Sequence, residues 1–284
     1  MLLCWNHASY LEQCIGALAL QERDGVEILF LDNASSDGSP ELARQLFKRH
    51  GLDATFLQNE VPQGISANFN RLLGSASGEL VAVLSTDDWY EPGYIHAMRR
   101  AAVDEPAAGW FACGGYHAFE DSGERRPVDD RGFRSGEVLG ALLDGEDPFF
   151  FVGCCYRRSA LELVGGWDEE LPIEDRDLFL RLAQHHPVKT LPDRLVNYRR
   201  ASSTASANPE YMARGFDAFF AKHRPAFGRS WRRCYAAALR GPAVIAIDQG
   251  KLDLARSILR RAFSLAPFNP QLWRTAFYWL RRST

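Results

Sequence analysis

Three short apolar runs, separated by helical segments, constrain the fold of this chain more than any other feature. "VEILFL" (26–31), "ATFL" (54–57) and "LVAVLS" (80–85) are apolar and predict strands. The segments between them predict helices, the first with Ser39 as its N-cap and Pro40 at its first position. Strands that alternate with helices favour an α/β fold with a mainly parallel sheet flanked by helices. Such a sheet binds its ligand outside the carboxyl ends of its strands.

Carboxylates follow two of these runs and are therefore predicted to lie along one rim of the sheet. Asp32 follows the first run, and Asp87 and Asp88 follow the third. Two adjacent carboxylates repel each other unless a cation or hydrogen-bond donors compensate them, and Mg²⁺ and Mn²⁺ prefer oxygen ligands. A metal held by one carboxylate completes its coordination with water and substrate phosphates, so the pair indicates a diphosphate ligand. The alternative interpretation is a solvated acidic turn before Pro92.

Length and composition narrow the class of protein. The chain has 284 residues, 46% of them hydrophobic, enough for one large domain or for one domain with a helical appendage. No run approaches ~18 apolar residues and no basic segment precedes an apolar one at the start, so we expect a cytoplasmic protein. The six scattered cysteines favour reduced thiols in the core. The start "MLLCWN" leaves about four residues for a first strand, which suggests a longer native N-terminus.

Five segments, taken in order, resemble the family 2 glycosyltransferases. They are "CWNHASYLEQCIGAL", "EILFLDNASSDGS", "GISANFNRLLGSASGELVAVLSTDDWYEPGYI", "FFFVGCCYRRSALELVGGWDEELPIEDRDLFLRLA" and "NYRRASSTAS". The resemblance covers roughly residues 2–206 and implies an inverting enzyme with the nucleotide-sugar-binding fold called GT-A. It divides the chain into a catalytic domain, residues 1–206, and a C-terminal α-helical extension, residues 207–284.

The resemblance also implies which residues surround the nucleotide sugar. They are Trp5, Asn6, Asp32, Asn33, Gly64, Asn70, Asp87 and Arg199. Within this set Asp87 would face the ribose, whereas Asp88 would bind the metal, Mn²⁺ or Mg²⁺. Many relatives carry two aspartates where this chain has Asp32 and Asn33, so the base of the donor stays open among UDP, dTDP and GDP.

Inversion at the sugar requires a base on the acceptor side, and the resemblance assigns it to "PIEDRDLFLRLA". The family's Glu-Asp pair aligns with Glu174 and Asp175, and the usual assignment makes Asp175 the base. The helical spacing of the following apolar residues places both acids in the first turn of a helix, where negative charge is favoured. The alternative is that they are ordinary helix-start acids. Asp177 and Arg181, four residues apart, are predicted to form a helix-surface pair.

Two further positions belong to this half of the chain. Arg199 and Arg200 follow a short predicted strand near "LVNYR", and one of them would neutralise the diphosphate as it leaves. Many relatives carry a histidine in "Y-R-x-H" where this chain has Ala201, so a histidine ligand from that position is unavailable and Arg199 would carry more of the charge. Trp167 in "GGWDEELP" is predicted to pack in the core rather than to stack on a sugar.

The C-terminal region differs in charge and pattern. From Lys222 to Thr284 there are 13 Lys and Arg against two Asp, a net charge of about +11, whereas the remainder carries about −14. "AVIAIDQGKLDLARSILRRAFSLAPFNPQLW" predicts one tetratricopeptide-like hairpin, and the last segment predicts an amphipathic helix with Trp273, Phe277 and Leu280 on one side. Two interpretations stay open for this basic tail. It contacts the inner face of a membrane peripherally, or it is a structural cap over the core.

We therefore expect a transferase that moves a sugar from a nucleotide-diphosphate donor to a hydroxyl of a glycan or lipid-linked acceptor, with no nucleic-acid partner. Polysaccharide or cell-envelope synthesis would use such an enzyme. A nucleotidyltransferase would carry a Gly-rich basic phosphate loop at the first strand, which "CWNHASYLEQ" lacks. A non-catalytic carbohydrate-binding relative would have no use for a base, so Asp88 and Asp175 together argue against it. No G-x-G-x-x-G follows a strand, which disfavours a dehydrogenase.

Overall fold

The chain is described by a computed structural model that covers residues 1–201 and 204–283. It divides into two compact units. The first unit consists of Met1–Val138, Asp147–Glu169 and Leu178–Arg200. The second consists of Leu139–Glu146, Glu170–Asp177 and Ala201–Thr284, so it combines the C-terminal region with two short stretches from earlier in the chain.

The regular elements alternate through the first unit and become helical in the C-terminal region. The strands are β1 (Leu2–Cys4), β2 (Leu29–Asp32), β3 (Thr55–Gln58), β4 (Leu80–Ala82), β5 (Leu84–Ser85), β6 (Trp89–Tyr90), β7 (Trp110–Phe119), β8 (Arg125–Pro127), β9 (Cys155–Arg157) and β10 (Val188–Arg200). The α-helices are α1 (Leu11–Ala19), α2 (Ser39–Arg49), α3 (Ile65–Ser75), α4 (Tyr94–Asp104), α5 (Leu139–Leu143), α6 (Arg158–Leu163), α7 (Glu174–Leu182), α8 (Pro209–Lys222), α9 (Arg224–Phe227), α10 (Trp231–Asp248), α11 (Leu252–Leu265) and α12 (Pro270–Ser283). This order confirms the predicted α/β class with a helical C-terminal region.

A parallel sheet forms the N-terminal part of the first unit. Its strands lie in the order β3-β2-β1-β5, and each neighbouring pair is parallel. In β1, Leu2 pairs with Phe30 on one side and with Leu84 on the other. Because β1 and β2 are almost fully buried, both read as continuous apolar runs instead of alternating ones.

A second, mixed sheet completes the first unit. Its order is β4-β9-β7-β10-β6, with β8 paired to β7. β10 runs parallel to β7 and antiparallel to β6. The short strand predicted near "LVNYR" is in fact 13 residues long, with register shifts around Arg194. Pro192 lies in this irregular stretch, where its missing N–H interrupts the ladder at little cost.

The single strand predicted for residues 80–85 is wrong. β4 pairs antiparallel with β9, whereas β5 pairs parallel with β1, so the run belongs to two sheets. Val83 lies between the two strands, and its carbonyl accepts a 3.0 Å hydrogen bond from the hydroxyl of Tyr90. An uninterrupted apolar run carries no signal for such a break, because both parts are buried equally well.

The predicted N-cap of α2 is also wrong. The cap position is Gly38, with φ +82°, and the N–H of Ser39 donates to Oδ1 of Asp37 at 3.1 Å. Ser39 is the first helical residue, and its hydroxyl instead donates to Asp37 at 2.6 Å. Gly38 takes the position because a left-handed backbone is easiest for glycine.

One apolar cluster connects the two sheets of the first unit. It contains Leu2, Cys4, Leu11, Ile15, Phe30, Leu46, Phe47, Tyr94, Met98, Phe111, Cys155 and Val196, all buried. Helices α1, α2 and α4 contribute to it, so the strands that end at the rim of the parallel sheet are packed against these helices. All six cysteine side chains of the chain are buried, the environment predicted for core thiols.

The C-terminal part of the second unit is a set of packed helices. α10 and α11 form a hairpin that turns at Gly250, whose φ is +72°. Ala246, Ile247 and Ala255 are buried between them, and Tyr278 and Trp279 of α12 pack on that cluster. In the described residues, none of the helices has both the length and the apolar character that membrane crossing requires.

Candidate active site

The ends of β1, β2 and β5 meet at one rim of the parallel sheet, and the backbone there is unusual. Asn6 and Ala34 follow β1 and β2, and both have φ +57°, a left-handed conformation that is uncommon outside glycine. The side-chain oxygen of Asn6 accepts a 2.9 Å hydrogen bond from the backbone N–H of Ser36, and the backbone N–H of Asn6 donates to the hydroxyl of Ser35. The two loops therefore fix each other. Trp5, beside Asn6, is 53% exposed.

Asp32 is the last residue of β2 and is buried. Its Oδ2 accepts a 3.0 Å hydrogen bond from the N–H of Ser35. Its Oδ1 is also buried, and it has no hydrogen-bond partner among the described residues. A buried carboxylate oxygen without a donor is costly, so this oxygen is suited to accept a hydrogen bond from a ligand.

Asn33, the next residue, is the centre of an amide network. Its Oδ1 accepts from Nδ2 of Asn59 at 2.7 Å and from the N–H of Gln63 at 2.8 Å. Its Nδ2 donates to the carbonyl of Gln63 at 3.0 Å. Asn59 also donates to Asn68 at 2.6 Å and accepts from Arg71. This network connects β2 to the segment that leads into α3.

Gly64 and Asn70 occupy different environments within that segment. Gly64 caps α3 with an ordinary extended backbone, and a Cβ placed there would meet no atom within 4 Å. Asn70 binds the loop after α6: its side chain donates to the carbonyl of Trp167 at 2.8 Å and accepts from the N–H of Trp167 at 2.9 Å. Trp167 itself is buried against Phe69 and Tyr156, as the packed interpretation of this residue expects.

Thr86, Asp87 and Asp88 follow β5 at the same rim, and all three are buried. Oδ1 of Asp88 accepts a 2.7 Å hydrogen bond from the N–H of Arg199. Oδ1 of Asp87 is buried without a hydrogen-bond partner in the described part of the chain, and it lies 4.0 Å from Nδ1 of His7. The same histidine nitrogen lies 2.9 Å from the hydroxyl of Thr86.

The electrostatics of this turn favour binding of a cation. Burial and, secondarily, the neighbouring charge of Asp87 raise the pKa of Asp88 well above its usual range, although Arg199 opposes this. Burial lowers the pKa of His7, against the attraction of Asp87. The local groups therefore compensate the two carboxylates incompletely.

Arg199 lies at the end of β10 and spans the turn. Its Nε donates to the carbonyl of Asp87 at 2.8 Å, and a terminal nitrogen donates to Gln13 at 2.6 Å. The guanidinium lies over the rings of Tyr10 and Trp89, with its central carbon 4.3 Å and 5.0 Å from their centroids. Such a planar cation, held by aromatic faces, is suited to phosphate recognition.

The second unit contains the other predicted acids. Glu174 and Asp175 begin α7, as the sequence predicts, and Oδ1 of Asp175 accepts from the N–H of Arg176 at 2.6 Å. Burial and then the charge of Asp175 raise the pKa of Glu174 to about 8. Burial together with these two acids raises the pKa of Tyr211 to about 12, and its hydroxyl donates to the carbonyl of Pro172 at 2.5 Å. At neutral pH the Glu-Asp pair therefore carries at most one negative charge.

Asp177 does not lie on the helix surface, so that part of the prediction is wrong. Its side chain is fully buried. Its Oδ1 accepts from the ammonium of Lys222 at 2.6 Å and lies 2.7 Å from Nε2 of His223. The reason is a contact between distant parts of the chain: the end of α8 places Lys222 and the adjoining His223 against this carboxylate. The spacing of residues near Asp177 does not predict such a contact.

The carboxylates of the rim suit a divalent cation that has few protein ligands. Among the residues that the structure describes, no three His, Cys, Asp or Glu side chains are grouped to form a complete metal site. The buried Asp87–Asp88 pair nevertheless fits a cation that takes one or two protein oxygens, because Oδ1 of Asp87 has no donor within residues 1–201 and 204–283. Mg²⁺ and Mn²⁺ are commonly held in this way, with water and phosphate oxygens completing the octahedron.

The sequence does not single out several residues of the site. They are His7, Tyr10, Gln13, Trp89 and the amides of Asn59, Gln63 and Asn68. Most act through contacts between residues distant in the chain, which spacing does not reveal. A polar run such as "NHASY" directly after the first strand was the one available indication.

Comparison with known proteins identifies the family. Residues 1–165 match Glycosyl transferase family 2, which is more than half of the chain. The chain therefore belongs to this family. Its fold is the GT-A fold: a mannosyltransferase from Pyrobaculum calidifontis, PcManGT, solved with GDP-Man and Mn²⁺, superposes with a TM-score of 0.65 at 19% identity, over 99% of this chain and 84% of that one.

Relatives of known sequence agree with this assignment. The putative glycosyltransferase EpsH of Bacillus subtilis is 30% identical over 167 residues, which are 57% of this chain and 47% of that protein. The GalNAc(5)-diNAcBac-PP-undecaprenol beta-1,3-glucosyltransferase of Campylobacter jejuni is 31% identical over 162 residues, 56% of this chain and 50% of that protein. The matched part spans about half of each of these two relatives.

Proposed function

We propose that this protein is an inverting glycosyltransferase that moves a sugar from a nucleotide-diphosphate donor to a hydroxyl of an acceptor. The observation that carries the proposal is the rim of the parallel sheet, where Asp32, Asp87 and Asp88 lie buried at strand ends. Two of their carboxylate oxygens have no hydrogen-bond donor among the residues that the structure describes. Family membership over residues 1–165 supports the nucleotide-sugar donor.

In this proposal Asp88 holds the divalent cation, Mn²⁺ or Mg²⁺, and Asp87 faces the ribose. When bound, the cation supplies positive charge to the diphosphate and so stabilises it as a leaving group. The protein's own residues prepare the site. Arg199 fixes Asp88 through its backbone and presents its guanidinium to the same turn, so a second positive charge is available to the phosphates. The Mn²⁺ in the PcManGT complex supports this assignment.

The donor's base binds at the end of β2. Oδ1 of Asp32 accepts a hydrogen bond from the base or ribose, and the Asn33 network holds the neighbouring backbone in place. Trp5 and Asn6, with its left-handed backbone, border the same site. The donor nucleotide is UDP, dTDP or GDP. The GDP-Man complex of PcManGT illustrates the class of ligand without selecting the base for this chain.

Asp175 is the general base of the proposed reaction. Its carboxylate takes the proton of the acceptor hydroxyl while that oxygen attacks the anomeric carbon from the side opposite the diphosphate. Burial raises the pKa of the neighbouring Glu174 to about 8, so Glu174 holds a proton at neutral pH. The acceptor is a glycan or a lipid-linked sugar, and the name of the Campylobacter jejuni relative supports the lipid-linked class.

A panel of UDP-, dTDP- and GDP-sugars with Mn²⁺ tests the proposal. Slow hydrolysis or transfer releases the nucleoside diphosphate, and proton NMR of the new sugar identifies its anomeric configuration. We expect release from donors of one base, inversion at the anomeric carbon, and loss of release in Asp88→Asn but not in Asp53→Asn, an exposed carboxylate. Retention of configuration, or release that survives Asp88→Asn and EDTA together, contradicts the proposal.

A further inference from the structure

The terminal helix α12 exposes a row of large apolar side chains. Trp273, Phe277 and Leu280 are 60%, 56% and 53% exposed, and Phe268 just before the helix is 93% exposed. Positions i, i+4 and i+7 lie on one face of a helix, so these three residues form a continuous stripe.

The opposite face of α12 already serves the fold. Leu272 is fully buried and Thr275 nearly so. Tyr278 and Trp279 pack against the hairpin of α10 and α11, and the indole of Trp279 donates to the carbonyl of Leu252 at 2.9 Å. Within the stripe, Trp273 also contacts α11: its ring centroid lies 4.9 Å from that of Phe263, and its indole donates to the carbonyl of Pro267 at 2.9 Å. More than half of each of the three side chains nevertheless remains exposed, and this exposure carries a cost that a binding partner would remove.

Positive charge accompanies the stripe and negative charge is missing from the segment. Residues 254–284 contain six arginines and no Asp or Glu. Arg274 and Arg281 each follow a residue of the stripe and so form a parallel row beside it. The guanidinium of Arg281 lies over the ring of Phe277, 4.7 Å from its centroid. Arg282 lies over the ring of Tyr278.

We propose that α12 is a peripheral membrane-binding surface for bilayers that contain anionic lipids. An interfacial helix buries a stripe of Trp, Phe and Leu at the boundary of headgroups and acyl chains, while arginines beside the stripe contact the anionic headgroups. The stripe and the arginine row of α12 have this arrangement. A free phosphate ion would use the arginines alone and leave the stripe exposed. A second copy of the helix would place two arginine rows of equal sign together with no acid in the segment to compensate them.

The test is co-sedimentation of the full chain with vesicles of phosphatidylcholine, with and without phosphatidylglycerol, at low and high salt. Three proteins are compared with the wild type. The first replaces Trp273, Phe277 and Leu280 with Ser, and the second carries Arg274→Gln and Arg281→Gln. The matched control replaces Leu20, Val61 and Val103, which are 68%, 60% and 77% exposed in the first unit, with Ser. Circular dichroism establishes that each variant is folded.

We expect binding to anionic vesicles only, weakened by salt. The double arginine variant should partition about 25-fold more weakly, at about fivefold for each arginine. The stripe variant should lose binding, and the control should bind like the wild type. Absent binding, equal binding to neutral vesicles, or equal loss in control and stripe variants overturns the proposal. Concentration-dependent dimers that only the stripe variant abolishes, without vesicle binding, would identify a second copy as the occupant. None of these results depends on transferase activity.

Discussion

The backbone N–H of Arg199 donates a 2.7 Å hydrogen bond to Oδ1 of Asp88, although the two residues are 111 positions apart. The side chain of Arg199 also donates to the carbonyl of Asp87 at 2.8 Å, so the end of β10 is hydrogen-bonded to the turn that follows β5. A distant strand therefore holds the carboxylate of Asp88 and the backbone of Asp87. A substitution at Arg199 can therefore test whether its positive charge or its hydrogen bonds to this turn matter for donor binding.

Replacement of Arg199 with Lys keeps the positive charge but removes the fork that bridges Asp87 and Gln13. Hydrogen bonds to charged groups contribute about 1.5–3 kcal/mol each, so donor affinity should fall about 10- to 100-fold. Isothermal titration with the preferred nucleotide sugar measures the change. Arg200→Lys, at the exposed neighbouring position, is the control and should leave affinity unchanged. Equal affinity for both variants would remove Arg199 from the donor site.

Asn33→Asp tests whether the amide is needed where many relatives carry a second aspartate. The substitution removes the donor that reaches the carbonyl of Gln63 and places a carboxylate oxygen against that carbonyl, in a side chain only 7% exposed. A buried acceptor without a donor costs about 1–3 kcal/mol, so the thermal midpoint should fall by several degrees. Gln58→Glu, the same chemical change at an exposed position, should not lower it. An unchanged midpoint in Asn33→Asp would mean that the network tolerates a carboxylate.

Asp175→Asn should lower kcat by at least about 10²-fold, because the amide cannot accept the proton of the acceptor hydroxyl. The dissociation constant of the donor should stay unchanged, since the proposed role concerns the acceptor alone. Steady-state kinetics and donor titration are measured on the same preparation, with Asp253→Asn, an exposed acid of α11, as the control. Parallel losses of donor affinity and turnover would assign Asp175 to the donor site.

The raised pKa of Glu174 predicts a pH dependence of stability. The pKa of Glu174 is about 8 in the native state, so the carboxyl keeps its proton up to that pH, whereas the unfolded chain releases it near the ordinary pKa of 4.5. The native state therefore binds more protons between these values, and the contribution of Glu174 to stability is lost as pH rises through that window. Glu174→Gln should flatten the fall of the thermal midpoint between pH 5 and about pH 8. Parallel pH profiles for the variant and the wild type would contradict the burial of this carboxyl.

Much of the α/β part could be predicted from the sequence because its strands and helices carry local signals. α2 begins at Ser39, one residue before Pro40, the predicted first helical position, and α3 lies in the second of the two segments that predict helices. The carboxylates at the ends of β2 and β5 could be placed on one rim, because parallel strands end at the same edge.

What the sequence could not reveal depends on contacts between distant segments. The division of residues 80–85 between two sheets has no local signature, since both parts are apolar. The burial of Asp177 depends on Lys222 and His223, more than 40 positions later. The position of Arg199 depends on the length of β10. The sequence does not predict this length, because a register shift and a proline interrupt the strand pattern.

The central claim is that Asp88 couples donor binding to a divalent cation, and titration of the preferred nucleotide sugar with and without Mn²⁺ tests it most directly. We expect measurable donor affinity of the wild type only with Mn²⁺, and no Mn²⁺-dependent gain in Asp88→Asn, whereas Asp53→Asn behaves like the wild type. The folded state of Asp88→Asn is checked by circular dichroism. Donor binding by the wild type that is tight and insensitive to EDTA, or an undiminished Mn²⁺ effect in Asp88→Asn, would contradict the account.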